Sequence, residues 1–137
     1  MKKLVKLDEN FRMTEIDWKA TQRQAEKLRD YIENAPPAEC LQYGYQKNFI
    51  PLIDAVMNKS IDIPYFGPDP YSIRAVMEGQ IPGFLEPFAK LYFKFDDMIS
   101  ASSSAFSLST YESGEYIFEK YRVEKDGELY EWCWFED

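Results

Sequence analysis

The chain has 137 residues, 45% of them apolar and 17% aromatic, with a formal net charge of −8. That length sustains a hydrophobic core without disulfide or metal staples. The charge disfavours nucleic acid and anionic membranes as partners, and no stretch approaches the ~18 apolar residues that span a bilayer.

The charge is unevenly placed. Residues 1–34 carry 8 basic and 7 acidic groups, whereas residues 111–137 carry 9 acidic against 3 basic, a net of −6. The basic start Met1-Lys2-Lys3 has no apolar signal-peptide region after it, which predicts a cytoplasmic protein. Cys40 and Cys133 match no metal-ligand spacing and, in that compartment, are expected as unpaired thiols, with one long-range disulfide as the alternative.

The first helix is expected from about Glu15 to Asn34. Thr14 serves as cap, and Trp18, Thr21, Ala25, Leu28 and Ile32 form one apolar stripe. Pro36-Pro37 ends it. A second helix covers about Phe49 to Asn58, with Pro51 in its first turn, where the missing amide costs nothing. The proline-rich stretch from Ile61 to Tyr71 suits neither an interior strand nor a helix. Asp69 and Pro70 then start a third helix that Gly79 ends. The fourth, from about Phe84 to Ile99, has the longest apolar stripe in the chain: Leu85, Phe88, Leu91, Tyr92, Phe95, Met98 and Ile99.

After the run Ser102-Ser103-Ser104 the apolar period changes to two. Ala105 to Tyr111, Glu115 to Val123 and Glu128 to Phe135 read as three strands. Glu112-Ser113-Gly114 and Lys125-Asp126-Gly127 read as the turns between them. The fold class is therefore α+β in one domain over residues 1–137. A helical part, about 14–99, precedes an antiparallel meander, about 105–135, of three or four strands. Leu129, Cys133 and Phe135 lie on one face of the last strand, and Tyr130, Trp132 and Trp134 on the other. The second face is either covered by Leu4–Leu7 as a further strand or left as an aromatic platform.

Catalytic chemistry finds little support. There is no histidine, so the commonest general base, metal ligand and triad member is missing. The phosphate-loop, dinucleotide and nucleophile-elbow motifs are also missing. Asp96 and Asp97, adjacent on a helix, do not face each other. Cys40 has no imidazole to activate it. No catalytic residue, metal site or cofactor is expected. Two aromatic surfaces are candidate partner-binding sites. The first combines Glu115, Glu119, Glu128 and Glu131 with Tyr121, Tyr130, Trp132 and Trp134, a mixture suited to hot spots and electrostatic steering. The second is the stiff loop with Tyr65, Phe66, Asp69 and Tyr71, where prolines lower the ordering cost of binding. Each has a plain structural alternative, a strand buried on both faces or a cap on the core.

In this overall character the chain resembles bacterial toxin-immunity proteins, of the kind paired with contact-dependent growth-inhibition and other polymorphic toxins. It is small, acidic, aromatic-rich and without catalytic residues. The likeness is to the whole chain rather than to a motif, and it maps no family residue onto a position here. It implies a non-enzymatic inhibitor in a one-to-one complex with a cognate toxin domain, often a nuclease, whose basic groove meets the acidic patch. A small-ligand or enzyme domain with an aromatic-lined pocket, or an adaptor subunit of a larger complex, remain the alternatives.

Overall fold

The computed structural model describes residues 1–67, 86–113 and 121–137. Among them are five α-helices, one π-helical turn and a three-stranded sheet, an α+β architecture. The helices are α1 (Trp18–Asn34), α2 (Pro37–Tyr43), α3 (Ile50–Met57), α4 (Glu86–Ile99) and α5 (Leu108–Ser113). The strands are β1 (Lys2–Lys6), β2 (Arg122–Lys125) and β3 (Glu128–Trp134). The helix expected at Asp69–Gly79 lies outside the described residues. The chain forms two compact units: Met1–Thr21, Asp62–Tyr65 and Asp96–Asp137 in the first, Gln22–Ile61 and Phe66–Phe95 in the second.

Asp17, not Thr14, caps α1. Its Oδ1 accepts the Ala20 N–H at 3.1 Å, and its carbonyl accepts the Thr21 amide and hydroxyl at 2.9 and 2.7 Å. Thr14 is engaged elsewhere, its amide and hydroxyl both bound to the Lys6 carbonyl. Thr21, Ala25, Leu28 and Ile32 are buried as the stripe requires, while Lys19, Arg23, Glu26, Lys27, Asp30 and Glu33 are exposed.

In the second unit Pro36-Pro37 ends α1 and also begins α2, because proline suits the first helical position. Gly44 closes α2 in the left-handed region at φ 62°, its N–H bonded to the Cys40 carbonyl. Pro51 has no amide to return to the Lys47 carbonyl, and the turn before it widens: Ile50 donates to the Tyr45 carbonyl five residues back. This π-turn buries both Tyr45 and Phe49. Tyr45 stacks on Phe88 at 4.4 Å, and Phe49 meets Phe88 and Tyr92 edge-on at 5.0 and 5.3 Å. Glu39 accepts the hydroxyls of half-buried Tyr31 and buried Tyr45 at 3.0 and 2.9 Å, giving both phenols a polar partner. Burial first, then that carboxylate, hold the Tyr45 hydroxyl well above the ordinary phenol range.

In the first unit the strand order is β1-β3-β2, all antiparallel. β3 is therefore the central strand, and β1 rather than a third meander strand flanks it. Lys2 pairs with Trp134, Leu4 with Trp132 and Lys6 with Tyr130; on the other side Arg122 pairs with Glu131 and Val123 with Tyr130. Asp126 at φ 53° and Gly127 at φ 78° form the two-residue turn of the β2–β3 hairpin, the geometry that Asp-Gly favours. The strand expected over Ala105–Tyr111 is not formed. Its start does lie along β3, with Trp134 N–H on the Phe106 carbonyl and Ser107 bridged to Cys133. From Ser107 the chain turns into α5 instead, its carbonyl taking the Tyr111 amide at 2.9 Å. The Ser107 hydroxyl meets that of Ser109 and donates to the Glu131 carboxylate at the start of this helical turn. Of the turn expected at Glu112-Ser113-Gly114, Glu112 and Ser113 instead end α5, and β2 runs over Arg122–Lys125; the rest of the strand expected from Glu115, up to residue 120, lies outside the described residues. The core of this unit gathers Val5, Leu7, Met13, Ile16, Met98, Ala101, Phe106, Cys133 and Phe135.

Candidate functional site

β3 alternates as a strand must. Glu131, Cys133 and Phe135 are buried, while Glu128 and Trp132 are exposed and Tyr130 and Trp134 half-buried on the opposite face. That outer face is the candidate site. Trp132, 37% exposed, is paired with Leu4. Trp134 stacks on Tyr111 of α5 at 4.7 Å and 9°, and Tyr111 is itself 61% exposed. Tyr121, Leu108, Trp132 and Lys2 line a cavity of about 340 Å³.

The charges on this face differ from those the sequence suggests. β1 brings Lys2 and Lys6 into register with Trp134 and Tyr130, and Lys125 is in register with Glu128 on the same face. Glu128 is held by Lys6 at 2.9 Å and by the Tyr130 hydroxyl at 3.1 Å. The Lys6 and Tyr130 hydrogen bonds, in that order, lower the Glu128 pKa, and the same pairing raises that of Lys6. Tyr121 donates its hydroxyl to Glu112. Lys2 and Lys125 make no ion pair among the described residues.

Glu131 is not part of this surface. It is 1% exposed on the core face, where its Oε1 accepts the Ser107 hydroxyl at 3.4 Å and Ser107 in turn meets the Ser109 hydroxyl at 2.8 Å. Its Oε2 has no hydrogen-bond partner among the described residues. Burial raises its pKa, against the opposing pull of Arg122 and the Ser107 hydrogen bond. An alternating strand whose aromatics face outward places Glu131 inward, so the strand parity was the available signal.

Of the remaining residues expected in the acidic surface, Glu115 and Glu119 lie outside the described residues. In the second surface Tyr65 is half-buried, with its amide on the Ile99 carbonyl at 2.9 Å, and Phe66 is 74% exposed. Asp69 and Tyr71 lie outside the described residues. Lys2, Lys6, Leu108 and Tyr111 join the outer face without having been singled out from sequence. The alternation Lys2, Leu4, Lys6 was the legible sign for the first two.

Reactive groups are few. Cys40 and Cys133 are free thiols. Burial, with the carboxylates of Glu131 and Glu15 behind it, pushes the Cys133 thiol up to about 12, which disfavours the thiolate at neutral pH. No three His, Cys, Asp or Glu side chains cluster as metal ligands among the described residues, and no helix among them is long and apolar enough to cross a membrane.

No family model, curated protein or solved structure matches the chain. What the chain does must be argued from the outer face itself.

Proposed function

We propose that the protein is a non-catalytic binding protein that grips a protein partner with the outer face of its sheet, and that it acts as an immunity protein neutralising a cognate bacterial toxin. The observation that carries the binding role is the row Tyr130, Trp132 and Trp134 on the central strand, joined by Tyr111 and Tyr121. Tyr and Trp dominate interface hot spots because they remove large rigid surfaces from water at low entropic cost. The immunity role rests on the resemblance in overall character and on the acidic balance of the chain.

The two kinds of group divide the work. The net charge of −8 attracts a basic partner at long range. Close contact falls to the aromatic rings, since Glu131 is buried and Glu128 is already paired with Lys6.

The test is protection in cells. A protein that co-purifies with this chain in equal amounts should arrest growth when expressed alone, and co-expression of this chain should restore growth. Trp132→Ala should weaken the complex at least about tenfold, roughly 1.4 kcal/mol, and reduce protection. A non-toxic partner would sink the immunity reading. Full protection by the variant with both Trp132 and Tyr130 replaced by Ala would move the interface off this face.

A further inference from the structure

The cavity beside Trp132 has a chemistry of its own, and we propose that it is a binding site for a small flat organic anion of the aryl carboxylate class. This proposal goes beyond the protein-binding role and stands without it.

The walls are an indole, a phenol ring and a leucine side chain, supplied by Trp132, Tyr121 and Leu108. Such walls accept a planar apolar body by stacking and exclusion of water. At about 340 Å³ the space lies at the lower end of small-molecule sites. It suits a one- or two-ring compound.

Among the described residues of the lining, Lys2 and Trp132 offer donors. Lys2 contributes an ammonium without an ion-pair partner among the described residues. The Trp132 indole N–H has no acceptor among them either. Tyr121 has its hydroxyl committed to Glu112, so it does not compete for the ligand's acceptor. A carboxylate beside Lys2 would form a charge-assisted hydrogen bond, and an uncharged amide in its place would lose most of that attraction. A cation would meet Lys2 with like charge. The site thus selects for sign as well as for flatness.

Placement on the sheet keeps the groups together. Lys2 and Trp132 are on adjacent strands and the same face, two residues out of direct register and so diagonal neighbours. Leu108 is buried at the start of α5, so that wall is fixed.

The experiment is a titration of the 15N-labelled full chain with indole-3-acetate, following the Trp132 indole N–H signal assigned by Trp132→Phe. The signal should shift saturably. Lys2→Gln, and separately replacement of the probe by indole-3-acetamide, should each weaken binding about fivefold or more. Lys2 lies on an exposed edge strand, so Lys2→Gln should leave the remaining spectrum in place. No saturable shift at about 10 mM probe, a level that detects even millimolar affinity, would overturn the proposal. So would equal binding of acid and amide, or binding unchanged in Lys2→Gln.

Discussion

The Glu131 carboxyl is buried beside Ser107, with Arg122 opposite it on β2 and one oxygen lacking a hydrogen bond among the described residues. Its pKa in the folded chain is raised, chiefly by burial. The acid therefore binds its proton more tightly folded than unfolded. Its contribution to stability is complete below the ordinary carboxyl pKa and is lost as pH rises through the raised folded value. Glu131→Gln has nearly the same shape and no charge to bury. The variant should melt with the native chain near pH 4 and above it at pH 7 to 8, by about 3 °C, which corresponds to roughly 1 kcal/mol at this length. Melting curves across that range decide the matter. Asp97, whose pKa burial also raises, is common to both proteins and drops out of the difference. A gap that does not change with pH would mean that Glu131 is not the titrating group.

The β2–β3 hairpin isolates a backbone effect. Gly127 holds φ 78°, yet a Cβ built there meets nothing within 4 Å. Gly127→Ala should therefore cost about 1 kcal/mol from conformation alone, and Asp126→Asn almost nothing. Denaturant midpoints of the two variants measure this; equal midpoints would show that the turn does not depend on its left-handed residues. The Asp-Gly turn was legible in sequence because two adjacent residues determine it. The α1 and α4 stripes were legible for a similar reason, since each repeats one helical period over several turns. Strand order was not, because the pairing of β1 with β3 joins residues at opposite ends of the sequence. α5 was missed because alternation over Ala105–Tyr111 resembles a strand, although only the start of that stretch lies along β3. In the candidate site, the aromatic row was legible from strand parity, but the neighbours that set its charge came from β1.

At the scale of the molecule, the aromatic excess divides between two tasks. Tyr45, Phe49, Phe88 and Tyr92 pack the interior of the second unit, while Tyr111, Tyr121, Tyr130, Trp132 and Trp134 belong to the first unit and its outer sheet face. The charge acts over longer distances than either. For the proposed complex with a basic partner, raising salt from about 0.05 to 0.5 M should slow association tenfold or more, since screening shortens the reach of the field to a few ångströms. Trp132→Ala should instead speed dissociation. Stopped-flow mixing separates the two rates, and an association rate indifferent to salt would remove steering from the mechanism.

The central position of β3 also matters while the chain is being made. β1 leaves the ribosome well before its partner strand, which begins at Glu128. Throughout synthesis of the intervening residues, Val5 and Leu7 have no strand to pair with, and the first unit must assemble after β3 has emerged. A nascent strand waiting that long is exposed to pairing with other chains. Lys2, Lys3 and Lys6, three charges on a five-residue strand, are the residue type that discourages such edge-to-edge association. Two of them, Lys2 and Lys6, thus serve both the finished outer face and the unfinished strand.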